Sequence, residues 1–126
     1  MDDILGQEVE KFELEFSEKF MEDCFTVGVD NGLNAINLGL LAAGIKPGEE
    51  IIVLANGYIA TMLGIIQCGA KPVFVELNEF FNMDSNSIED AVTSKTRVVL
   101  LTYIYGLVTE MDEIVDICIR RNRLLF

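Results

Sequence analysis

The chain has 126 residues, 51% of them from the AVILMFWYC set, with 21 acidic against 9 basic side chains, a formal net charge of −12 and no histidine. That charge repels nucleic acid and anionic membrane, so neither is expected as a partner. Without histidine, Ser-His-Asp and Cys-His nucleophile systems and the common histidine-containing zinc sites are excluded within this chain.

The length fits one small domain, and the apolar share, raised further by ten glycines, exceeds typical usage, so part of it is expected to meet a partner. No run approaches the roughly 18 apolar residues of a spanning helix, and Met1-Asp2-Asp3 lacks the basic start of a secretory signal. A cytoplasmic protein is expected. Cys24, Cys68 and Cys118, odd in number and set among apolar neighbours, read as reduced, buried thiols.

In chain order, Leu5, Val9, Phe12, Phe16 and Phe20 recur at helical spacing between acidic residues and predict an amphipathic helix over 6–20 with a solvated acidic face. Phe25 to Val29 predicts a short strand over 25–29, and Asn34 to Ala43 predicts a buried helix over 33–43, stopped by Gly44. Glu50 to Leu54 is a β-branched run suited to a strand covered on both faces. Ile59, Met62, Leu63 and Ile66 mark a helix over 58–68, and Val73 to Glu76 a strand over 72–76. Asp84 is placed to cap a helix over 85–92; a strand over 97–102 and a helix over 110–121 follow. Leu124 opens a further apolar strand with no turn after it, which suggests truncation.

Alternating strands and helices joined by short loops call for an α/β fold with a mostly parallel sheet and helices on both faces. Ligands of such sheets sit beyond the carboxyl ends of the strands, where the turns at 30–34, 55–58 and 103–106 are expected to share one rim. In the first of these turns, the backbone amides of Gly32, Leu33 and Asn34 converge at a helix N-terminus. That arrangement is a seat for phosphate in some proteins and plain packing in others. Tyr58 is read either as a rim residue packed under a loop or as a ring for stacking.

The ordered stretches Leu5 to Glu13, Val27-Gly28-Val29 with Asn31 to Ala35, Gly44 to Val53, Asn56 to Thr61, Gly69 to Glu76, Asn82-Met83-Asp84, Lys95 to Gly106 and Met111 to Ile114 resemble the DegT/DnrJ/EryC1/StrS sugar aminotransferases, pyridoxal-phosphate enzymes of the aspartate-aminotransferase fold. The resemblance implies that residues 1–126 form a single partial large domain, shortened at both ends relative to the family, with Met1 as an internal start. It also implies that the backbone amides of Gly32 and Leu33 hold the phosphate of pyridoxal phosphate, that Asn31 opens that turn and that Tyr58 stacks on the pyridine ring. The substrates implied are a nucleotide-linked keto-sugar and glutamate, and the assembly a homo-oligomer.

Gly57 and Tyr103 depart from the family, which usually has Thr or Ser at the first position and His at the second. In the family the strand opening at Leu124 leads to an Asp that pairs with the pyridine nitrogen, and the lysine that tethers the cofactor comes later still. The chain alone is therefore expected to be inactive, because that chemistry needs both groups. Lys46, Lys71 and Lys95 lie in turns before strands, on the opposite rim, and are not expected to substitute. Two further readings stand beside the aminotransferase: a fragment of a pyridoxal-phosphate sugar dehydratase, and a non-catalytic remnant acting in dimerisation or another interaction.

Overall fold

The run Glu50-Ile51-Ile52-Val53-Leu54 offers an apolar side chain to both faces of a sheet, and β1 (Glu50–Leu54) is buried along its whole length. The computed structural model describes residues 6–21, 24–109 and 111–126. The amino-terminal expectations, from the Met1 start to Leu5, lie outside the described residues, as does Glu110, the first residue of the helix expected over 110–121. The chain divides into two units, Met1–Asn31 and Gly32–Phe126.

In the first unit, α1 (Gln7–Phe20) buries none of its residues. Phe12, Phe16 and Phe20 are spaced four apart and form a ladder with ring centroids 5.6 Å and 4.9 Å apart. The strand expected over 25–29 does not form. At Gly28 its backbone finds a side chain instead of a ladder, the N–H donating to Glu13 Oε1 at 2.6 Å, and a side-chain bond from Ser17 Oγ to Thr26 Oγ1 at 2.8 Å ties the same segment to α1. Phe25 is left 97% exposed. Cys24 is exposed, contrary to the expectation of three buried thiols, whereas Cys68 and Cys118 are buried.

The second unit runs α2 (Gly32–Ala42), β1, α3 (Ile59–Gln67), β2 (Lys71–Val75), α4 (Ser85–Ala91), β3 (Thr96–Leu100), α5 (Met111–Arg121) and β4 (Leu124–Leu125). The four strands form one parallel sheet in the order β2-β1-β3-β4, with Ile52 opposite both Val73 and Val99. Alternation along the strands divides the core. Ile51, Val53, Val98 and Leu100 pack with Leu40 of α2 and Ile65 of α3. Ile52, Leu54, Val75 and Val99 pack with Ile88 of α4 and Ile114, Ile117 and Cys118 of α5. Helices therefore cover both faces, and each fully buried aliphatic side chain contributes about 1.5–3 kcal/mol.

Expected and observed elements agree to within about two residues except over 25–29 and in the burial of α2. That helix buries only Leu40, while Leu38 and Leu41 stay half exposed. It meets α3 through Gly64 and the ring of Phe126 through Gly39. Leu40 and Ile36 face the core, and Leu38 and Leu41 are the large apolar side chains of α2 left open. No helix among the described residues is long and apolar enough to cross a membrane.

Candidate functional site

Because β1 and β3 are parallel neighbours, the loops that leave their carboxyl ends emerge on one rim. All three tyrosines of the chain stand on these two loops. Tyr58 follows the Ala55-Asn56-Gly57 turn and directly precedes α3; its backbone is extended, its carbonyl accepts from Thr61 N–H at 3.0 Å, and its side chain is 75% exposed. Tyr103 is less open and donates its hydroxyl to Met111 Sδ at 3.1 Å. Tyr105, in the 3-10 turn Ile104–Gly106, has a φ of 58°, a left-handed conformation that costs energy in a bulky residue.

The first turn of α2 is the other part of the candidate site. Gly32 and Leu33 are its first two residues, so their N–H groups have no partner within the helix. A methyl group built on Gly32 would meet nothing within 4 Å. No acidic side chain sits in this turn, so the positive end of the helix dipole is not already neutralised from within the helix. Asn31 comes directly before the helix and donates its side-chain amide to Asp30 at 3.0 Å. These features fit a phosphate: amides without a partner inside the helix, space beside Gly32 and a helix dipole of the right sign.

Gly64 sets how closely α2 and α3 approach, and sequence reasoning missed it. A methyl group there would stand 3.0 Å from the Leu33 carbonyl oxygen and 3.0 Å from Ile36 Cγ2. Asn37 Nδ2 donates to the Gly64 carbonyl at 3.2 Å across the same crossing. A glycine inside an otherwise apolar helix was the available signal. The contact places Leu33 level with a point six residues beyond Tyr58 along α3, about 9 Å at the helical rise. Gly57, where the family resemblance implies a side chain, has room for little: a methyl group there would lie 3.3 Å from the Leu54 carbonyl oxygen.

The shifted pKa values fall outside this constellation. The Ser87 hydroxyl and amide hold the Asp84 carboxyl below the usual range, as the α4 cap requires. Hydrogen bonding from Arg121 lowers Glu89, and the bond to Asp116 raises Arg120. Burial pushes the Cys118 thiol up, which disfavours the reactive thiolate. Lys46, Lys71 and Lys95 precede or open strands, at the ends away from Tyr58. Among the described residues no group of acidic and cysteine side chains is arranged to hold a metal ion.

Residues 3–126 match the model of the DegT/DnrJ/EryC1/StrS aminotransferase family. The dTDP-3-amino-3,4,6-trideoxy-alpha-D-glucose transaminase of Micromonospora megalomicea subsp. nigra is 37% identical over 120 residues, which are 94% of this chain and 32% of that protein. The chain spans about a third of the length of the curated relatives it matches. Among solved structures, ntda from Bacillus subtilis with bound cofactor PMP superposes with a TM-score of 0.87 at 32% identity, covering 93% of this chain and 27% of that one. The E. coli GDP-4-keto-6-deoxy-D-mannose-3-dehydratase with bound hydrated PLP gives 0.84 at 30% identity, covering 96% and 33%.

Proposed function

Since this chain belongs to the DegT/DnrJ/EryC1/StrS aminotransferase family, we propose that it supplies the phosphate seat and one ring-binding wall of a pyridoxal-phosphate site used to aminate nucleotide-linked keto-sugars, with glutamate as amino donor. The observation that carries this reading is the open first turn of α2, with unhindered space at Gly32. In it, the amides of Gly32 and Leu33 donate to the phosphate oxygens, Asn31 shapes the entry to the turn, and the exposed ring of Tyr58 stacks on the pyridine face. Bound pyridoxal phosphate supplies an electron sink for carbon–nitrogen chemistry. The residues of this chain bind and orient, and the tethering lysine and the pyridine-partner aspartate belong to family segments outside 1–126.

A second reading, a sugar dehydratase of the same family, is favoured by the likeness to the E. coli 3-dehydratase and shares the same roles for Gly32, Leu33, Asn31 and Tyr58. We also propose a homo-oligomer. The exposed phenylalanines of α1 and the uncovered leucines of α2 are surfaces that a partner would bury.

Titration with pyridoxal phosphate, followed by absorbance, tests the proposal. Weak, reversible binding is expected, lost in Gly32→Val because the branched side chain fills the open space at the amides. Gly32 has no left-handed backbone, so steric occupation, and not strain in the turn, would produce the loss. Unchanged binding in Gly32→Val refutes the phosphate seat. A stoichiometric lysine adduct within 1–126 after borohydride treatment refutes the assignment of the tether to another segment.

A further inference from the structure

On the α4/α5 side of the sheet, beyond the carboxyl ends of β2 and β3, a cavity of about 530 Å³ opens between the 78–86 loop and the 107–114 segment. Its size is that of a small-molecule site, roughly 300–1,000 Å³. Two of its wall residues are more than nine-tenths buried and polar: Asn82, 4% exposed, and Thr109, 8% exposed.

The backbone of Asn82 is fully used, its N–H donating to Asn78 Oδ1 at 3.1 Å and its carbonyl accepting from Asn78 N–H at 2.8 Å. Its side-chain amide joins no hydrogen bond among the described residues, and neither does the Thr109 hydroxyl. Sealed, unpartnered side-chain polar atoms are confined, among the described residues, to Arg123 Nε. The Asn82 amide and the Thr109 hydroxyl therefore keep their remaining exposure, and the cavity is where both residues have it. Polar groups this deep in a wall, with no protein partner for their side chains among the described residues, are reached by water only through the cavity, so a molecule that pairs with both of them replaces that water on two facing segments.

We propose that this cavity is a binding site for a neutral, hydroxyl-rich molecule of sugar-ring size. Asn82 offers a donor and an acceptor, Thr109 a hydroxyl, and Glu79 and Glu113 offer acceptors, with only one oxygen of Glu113 taken, by Ser85 at 2.6 Å. Phe80, 60% exposed, supplies an apolar face of the kind that covers the C–H side of a sugar ring. The carboxylates repel an anion. Among the described residues no group of carboxylates is arranged to hold a metal ion, and Asp84, the third acidic wall residue, caps α4. The site is separate from the phosphate seat on the α2/α3 side and does not rest on the proposed cofactor function.

The test is a two-dimensional amide NMR titration of the full chain with D-glucose to tens of millimolar, with spermidine and inorganic phosphate as comparison probes. Glucose is expected to shift amides of 78–86 and 107–114 and to bind about tenfold more weakly once Asn82→Ala or the near-isosteric Thr109→Val removes a buried hydrogen bond. Thr109→Val also guards against misfolding of the Asn82 variant, because it changes one hydroxyl to a methyl. The proposal is overturned by absent or scattered glucose shifts, by binding that survives both substitutions, or by spermidine or phosphate moving these amides in preference to glucose.

Discussion

Gly64→Ala tests whether the α2–α3 crossing is as tight as the geometry requires, and its outcome is decided by sign. Alanine is favoured over glycine in a helix interior by roughly 1 kcal/mol, so Gly64→Ala in an uncrowded α3 would stabilise. In this crossing the added methyl stands 3.0 Å from the Leu33 carbonyl oxygen and 3.1 Å from Ile36 Cβ, so backbone and a branched side chain must both retreat. Overpacking of this kind costs about 1–3 kcal/mol. The net is a loss of roughly 1 kcal/mol, read as a fall in Tm of about 4–8 °C for a unit of this size. Because the helix that retreats carries the Gly32 and Leu33 amides, phosphate-end binding should weaken in parallel. Far-UV circular dichroism melts give the first quantity and pyridoxal-phosphate titration the second. A rise in Tm would show that propensity wins and that the close approach is not there.

Asp84→Asn keeps a competent cap, whereas Asp84→Ala should cost about 0.5–2 kcal/mol near neutral pH, measured by denaturant unfolding. The Asp84 carboxyl is held below its usual value, so its stabilisation is complete above the unfolded-chain value and is lost as pH falls through the folded one; Asp84→Asn should therefore flatten the acid limb of the Tm profile below about pH 4. Ile52→Ala empties a fully buried position between β2, β3 and the α4/α5 helices and should cost about 2–5 kcal/mol by the same unfolding measurement; a cost under about 1 kcal/mol would contradict the observed packing.

Of the paired strands β1 was the most legible, because an uninterrupted apolar run needs cover on both faces wherever it lies, and Glu50 to Leu54 was placed to the residue. The 25–29 run carries the same β-branched signal, but a strand needs a partner, and pairing is not encoded in the run itself. In the structure the Gly28 N–H goes to the Glu13 carboxylate and to no neighbouring strand. The helix after Asn31 was legible as a helix and misread as buried, since apolar composition says nothing about what is available to cover it. Gly32 and Tyr58 were found as turn and rim residues from local pattern. Asn82 and Thr109 were not, because nothing local to either marks the cavity wall that strand order builds from both.

The strand order also has a consequence in time. β1 acquires its first neighbour, β2, from the next helix-linked segment, but its other edge waits for β3, roughly 40 residues later. At synthesis rates of about 5–20 residues per second, that apolar edge stays unpaired for about 2–8 s on each nascent chain. Glu50 at the head of β1 and the lysines at 71 and 95 that border its neighbours place charge at one end of this open ladder, the end that leaves the ribosome first. Slowed translation across α4 would lengthen that interval, and it is in that interval that the chain is most prone to pair with another copy of itself.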